Sequence, residues 1–264
     1  MAWMFEDIIA KNQSKDIDLL IAVPNRNSFS NRCVGGLLTL RQPLQKYLFN
    51  LEVGQPIDLS RNIACAKALQ LGAKYLLFID SDMVPPPDGL EILLSDRRPI
   101  VSGVYRGRGE PYHIVANAGK NVVPDSILDA PQIVKVDEVG MGFCLIDTRV
   151  LKAMASQVLK EWRCFQNHEK EGTEVAIFSD KDAIKNNYKC TYCGQLIVAR
   201  FFWSRLGMQN INAMSEDYFF CLNVRKLGYP IVLDTRVFVN HDAMFVESGR
   251  NGLENTLKSA GNVH

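Results

Sequence analysis

The sequence lacks an excess of either charge. Lysine and arginine number 30 and aspartate and glutamate 29 in 264 residues. That balance excludes a general binder of nucleic acid or of anionic membranes, while leaving room for a local basic pocket for a phosphate. No uncharged apolar run reaches the ~18 residues that a membrane-spanning helix needs. A disulfide framework is missing too: seven cysteines is an odd number, and most are scattered. Free thiols of that kind belong to a reducing compartment, and the expected location is cytoplasmic. The N-terminal MAWMFEDIIAKNQ carries acids early and has no long apolar centre, which makes it a poor signal peptide. There is no G-x-x-x-x-G-K-[ST] loop, so a P-loop NTPase is set aside. Internal repeats and low-complexity segments are absent.

What is present is a core. Hydrophobic residues make up 47% of the chain, enough for one large domain or one domain with an elaborate insert. DLLIAV reads as a buried strand from Asp18 to Val23, stopped by Pro24 and a polar loop. After a variable stretch, Ser60 can cap a helix that Gly72 ends. YLLFID is a second strand, apolar throughout, as befits a central strand covered on both faces. Asp88 opens a short helix, PIVSGVY is a third strand, and YHIVAN and QIVKVDEV read as further strands of a mixed sheet or hairpin. GMGFCLIDTRVLKAM gives a strand and then a helix. From 162 to 212 the pattern loosens. So long a segment is expected to be an irregular insert with its own function or staple. Order returns where Ser215 caps a helix closed by Gly228, before a strand that leads towards His241. The polar tail, 242–264, reads as a lid or a frayed end. Alternating strands and helices predict an α/β sheet, and ligands of such sheets sit beyond the carboxyl ends of the strands.

One such end is KYLLFIDSDMVPPP, Lys74 to Pro87. Residues i and i+2 of an extended chain point to one side, so Asp80 and Asp82 can face a common point. Two carboxylates that close resist ionisation together unless a cation lies between them. Magnesium or manganese suits hard oxygen ligands and shares its shell with substrate phosphates. The prolines stop the strand. An ordinary turn is the plain alternative, since aspartate and serine favour turns. A haloacid-dehalogenase-like phosphatase, with Asp80 as nucleophile, is another. The threonine that usually follows that motif is absent, and the motif comes late in the chain.

Taken in order, PIDLSRN, LLFIDSDMVPPP, VSGVYRGR, VGMGFCLID, SEDYFF and LDTRVFVNH resemble the nucleotide-sugar-dependent glycosyltransferases of the GT-A fold. The resemblance is closest to the inverting family-two-like group, and covers about residues 17–160 and 212–241. It implies a Rossmann-like mixed sheet flanked by helices, with 1–264 as one catalytic domain. It implies transfer of a sugar from a UDP- or GDP-sugar to a hydroxyl of a saccharide, lipid or protein acceptor, with Mn2+ or Mg2+ as cofactor. Asp80 and Asp82 match the Asp-X-Asp that holds the cation on the donor diphosphate, and Asp80 also matches the ribose contact. His241 matches a third metal ligand. Pro24 and Asn25 match the loop that meets the nucleobase, Arg61 a donor contact, and Asp217 the general base. Singly, each has a plainer reading. Glu216 and Asp217 are common first-turn helix acids, His241 a structural histidine, and Arg61 a surface helix residue. A non-catalytic nucleotide-sugar binder is also consistent with the same residues. A sugar nucleotidyltransferase would carry a glycine-rich loop after the first strand, where this chain has AVPNRNSF.

The insert has a signal of its own. Cys190, Cys193 and Gly194 in YKCTYCGQ have the form of a zinc knuckle, and Cys164 with His168 can supply two more ligands to a tetrahedral zinc site. The resembled family does not require it. The plain reading is two reduced cysteines in a hairpin. A redox dithiol fits less well, because QLIVARFF after the pair reads as strand rather than helix.

Overall fold

Apolar runs become the middle of a sheet. The computed structural model describes residues 17–25, 29–108, 110–166, 168, 176–203 and 215–242. Strand β1 (Leu19–Asn25) is buried at every position. It is followed by helix α1 (Asn31–Thr39), strand β2 (Tyr47–Val53) and helix α2 (Ile57–Gln70). Strand β3 (Tyr75–Ile79), the short β4 (Met83–Val84), helix α3 (Gly89–Ser95) and strand β5 (Ile100–Val104) come next. Short strands β6 (Ala116–Ala118), β7 (Asn121–Val122), β8 (Ile133–Val136) and β9 (Glu138–Val139) lead to β10 (Phe143–Asp147) and helix α4 (Thr148–Gln157). The insert then supplies β11 (Glu161–Cys164), β12 (Ile177–Ser179), helix α5 (Asp180–Lys185) and β13 (Ile197–Ala199). Helix α6 (Glu216–Lys226), strand β14 (Ile231–Phe238) and the short β15 (Asn240–His241) complete the described chain.

Seven strands form one mixed sheet in the order β2-β1-β3-β10-β5-β14-β8. Strands β2, β1 and β3 run parallel, β10 runs against both β3 and β5, and β14 lies parallel to β5. The carboxyl ends of β1, β3, β5 and β14 therefore share one edge, with the start of β10 between them. The chain thus forms the mixed, helix-flanked α/β sheet expected from its sequence pattern. The central strands β1, β3, β5 and β10 are mostly apolar, and one side of the sheet buries Phe78, Ile146 and Leu76 while the other buries Leu77, Phe143 and Leu145. Among the described residues no helix is long and apolar enough to cross a membrane.

Three local expectations need correcting. Helix α2 starts at Ile57, with Pro56 rather than Ser60 at its cap, so Ser60 lies inside the first turns and is buried. Strand β1 continues through Pro24 to Asn25, which pair only with the edge strand β2; a proline there costs no hydrogen bond to the central neighbour β3. The expected irregular insert has regular structure: β12, β11 and β13 form an antiparallel sheet of their own. Its Trp162, Phe178, Ile197, Phe201 and Phe202 belong to the same buried cluster as Phe78 of β3. Of the tail, 242–264, only Asp242 lies within the described residues, and 167, 169–175 and 204–212 of the insert lie outside them.

Candidate active site

Beyond Ile79 the chain turns. The Met83 N–H donates to the Asp80 carbonyl at 3.0 Å, and the Asp80 N–H donates to the Gly142 carbonyl at 3.0 Å. The extension assumed for Asp-X-Asp therefore stops at once, and the turn sends the two carboxylates to different partners. Asp80 meets Arg61, whose Nη2 is 3.1 Å from Oδ1. Asp82 meets Arg108 and His241, with His241 Nε2 3.6 Å from its Oδ2. Among the described residues one group of three or more His, Cys, Asp and Glu side chains is placed to share an ion, and it lies in the insert. Asp80, Asp82 and His241 do not close on one point here.

His241 reaches this place because β15 pairs antiparallel with β4, setting His241 opposite Met83; the Asp242 N–H also donates to the Asp82 carbonyl at 2.8 Å. The imidazole is buried. Burial lowers its pKa, against the pull of Asp82, which favours the neutral ring. Its Nε2 accepts from Arg108 Nε at 3.2 Å, which puts the proton on Nδ1. That tautomer leaves the Nε2 lone pair for a cation. Asp82 Oδ1 and His241 Nδ1 are buried without a partner among the described residues. The guanidinium of Arg108, largely exposed, bonds both Asp82 and His241. These two side chains thus already hold a cationic group; the carboxylate oxygen is the donor that a magnesium or manganese ion takes, and the imidazole nitrogen suits a softer ion than magnesium.

Arg61 is the opposite kind of arginine. Its side chain is 3% exposed, and it bonds three carboxylates: Asp80, Glu216 at 2.8 Å, and Asp217. Burial opposes its charge, but those carboxylates outweigh burial and keep it protonated. Helix α6 brings the two acids in its first turn, where Ser215 caps the helix by accepting from the Tyr218 N–H. Asp217 also accepts from the Met141 N–H at 3.3 Å. Burial, with Glu216 and Asp80 adding to it and Arg61 opposing, pushes the Asp217 carboxyl up to about 7. The helix dipole alone would have kept it low; burial wins.

The glycines of VGMGF have a steric reason. A Cβ on Gly142 would stand 2.6 Å from Met83 Cε and 2.8 Å from Tyr105 Cζ. Their absence lets the chain before β10 run close to Tyr105, whose hydroxyl accepts from the Gly142 N–H at 3.0 Å, and delivers the Met141 N–H to Asp217.

Pro24, Asn25, Arg61, Asp80, Asp82 and Asp217, all expected from sequence, line one cleft of about 530 Å³. Ile57, Ser81, Arg108 and Glu216 line it as well. Glu216 could have been found as the neighbour of Asp217 in SED. Arg108 carries no signal in sequence beyond its place in YRGR. Cys164, His168, Cys190 and Cys193 are brought together elsewhere, in the insert.

No family model matches the sequence, and no curated protein does. Among solved structures 43 chains are similar. One, titled "Crystal Structure of A197 from STIV", is 14% identical, with 85% of each chain covered and a TM-score of 0.47.

Proposed function

We propose that the cleft transfers a sugar from a UDP- or GDP-sugar to an acceptor hydroxyl, with inversion. The observation that carries this reading is Asp217: a half-buried carboxylate, pushed up to about 7, opening on the same cleft as the cation-holding Asp82. A carboxylate of that basicity is suited to take a proton near neutral pH. In the proposed step the acceptor oxygen bonds to the anomeric carbon as the bond from that carbon to the diphosphate oxygen breaks. The hydroxyl proton passes to Asp217, and the diphosphate leaves with the electron pair.

Asp82 and His241 would hold the divalent cation, which when bound neutralises charge on the leaving diphosphate. Arg108, exposed and next to the cleft, is free to exchange Asp82 for a donor phosphate. Arg61 holds Asp80 for the ribose and Asp217 for the acceptor, and Pro24 and Asn25 form the wall for the base. A thermal-shift screen of UDP and GDP, each with and without manganese, tests the binding half. One diphosphate is expected to raise the melting temperature with manganese and to lose that effect in Asp82→Ala, since a ligand of the native state at 100 times its Kd adds about 2.7 kcal/mol. No shift with any nucleoside diphosphate, or an undiminished shift in Asp82→Ala, would reject the reading.

A further inference from the structure

We propose that Cys164, His168, Cys190 and Cys193 bind one structural zinc ion, and that this ion fixes the insert against the helices that carry Arg61 and Asp217. The proposal does not depend on sugar transfer. The four ligand atoms come from three places in the chain and lie within 4.8 Å of one another. Cys164 Sγ is 3.4 Å from His168 Nδ1 and 3.7 Å from Cys193 Sγ, and Cys190 Sγ is 3.9 Å from His168 Nδ1. Separations of this order are what four ligands on one tetrahedral ion require, given zinc–sulfur bonds of about 2.3 Å and zinc–nitrogen bonds of about 2.0 Å.

The backbone is built for the same end. The Gly194 N–H donates to the Cys190 carbonyl at 2.8 Å, and the Cys190 N–H to the Gln195 carbonyl at 2.7 Å. Gly194 has φ +71°, a conformation that a side chain would strain. The N–H groups of Cys193 and Tyr192 are turned to the Cys190 sulfur. Among the described residues no lysine or arginine bonds these four side chains, so no protein cation occupies the place that Arg61 and Arg108 fill in the cleft. A divalent zinc ion supplies that charge as the bound thiols give their protons to solvent. A disulfide is not what the geometry builds, since bonded sulfurs stand about 2.05 Å apart and all seven cysteines are free. A helix to activate a redox dithiol is missing: the Lys189–Leu196 bridge closes the Cys-X-X-Cys turn as a hairpin.

The staple has a lever on the cleft. Strands β11, β12 and β13 have four, three and three residues, too short to be stable alone. Beyond β13 the chain reaches Phe202. Its backbone N–H and carbonyl are both bonded by the Asn62 side chain of α2 at 2.8 Å. The Phe202 ring stacks on Phe220 of α6 with centroids 4.6 Å apart, and the Arg61 guanidinium lies 5.8 Å from its centre. The insert therefore touches both helices whose side chains face the cleft.

Metal analysis of the purified full chain tests this without any donor. We expect one zinc per chain, retained in Asp82→Ala and mostly lost in Cys190→Ser and Cys193→Ser, with a lower melting temperature in both. Replacement by cobalt should give thiolate-to-cobalt charge-transfer bands and the visible bands of a tetrahedral ion. His168→Cys should keep stoichiometric zinc, because a fourth thiolate completes the same geometry. Well under one zinc per chain in the folded wild type, stoichiometric iron in its place, or undiminished zinc in folded Cys190→Ser would overturn the assignment.

Discussion

In the cleft, Asp80, Asp82, Glu216 and Asp217 stand against two guanidinium groups, Arg61 and Arg108. In the insert, three sulfurs and an imidazole converge with no arginine or lysine bonded to them among the described residues. Both are clusters of groups that bind cations, yet the chain has supplied its own cations to one and none to the other. A cluster already paired can fold alone and exchange a paired group for a ligand. A buried cluster left unpaired has to keep its protons or take up an ion. On the two proposals above, the cleft is a site made for exchange and the insert one made for permanence.

Three substitutions sharpen that contrast. Asp217→Asn removes the proposed base while keeping the shape of the side chain. Transfer should fall by about 10²–10⁴-fold, the usual contribution of a positioned base, with nucleoside diphosphate binding and melting temperature close to wild type in steady-state rates and calorimetry. A rate within a few-fold of wild type would mean that another group takes the proton, with Glu216 first to be examined. Next, Arg61→Met removes the buried cation from among three half-buried carboxylates. Removing one partner from a buried ion pair costs about 3–5 kcal/mol, and urea unfolding should show a loss of that order; a loss below about 1 kcal/mol would contradict the organising role given to Arg61. The smallest effect belongs to Arg108→Ala. Its side chain is 67% exposed, so stability should move by less than about 1 kcal/mol. Manganese affinity should rise several-fold instead, because the ion no longer competes with a guanidinium for Asp82 and His241. Manganese titration followed by electron paramagnetic resonance reads this directly, and weaker binding would show that Arg108 assists the ion rather than holding its place.

Much of the sheet could be read from its apolar runs, because β1, β3, β5 and β10 are mostly apolar and burial on both faces leaves that mark. Strand β2 escaped because it is an edge strand whose YLFNLEV is apolar yet largely exposed. Helix α1 escaped because two adjacent glycines suppress helix propensity; Gly36 is there for packing, since a Cβ would stand 2.8 Å from Pro85 Cδ. The resemblance carried by the ordered motifs pointed to Asp80, Asp82 and Asp217, which line the cleft, and to His241, which meets Asp82. Their pairing did not follow, because it depends on a tight turn at Asp80 and on arginine contacts that span 155 and 156 residues. The cysteine cluster was legible for a different reason: Cys-X-X-Cys-Gly carries its backbone geometry in its spacing, and only the reach of Cys164 and His168 needed the fold.

We propose above that Asp217, half-buried on the cleft that Asp82 also lines, is the base. The pH profile of kcat/KM for transfer, measured on the wild type and on Asp217→Asn, tests it most directly. Asp217 can accept a proton only when ionised. The wild-type rate should therefore rise with pH through an apparent pKa of about 7 and be lost below it, while the residual rate of Asp217→Asn should lack that limb. A wild-type profile flat from pH 5 to 8, or the same acidic limb persisting in Asp217→Asn, would contradict the account.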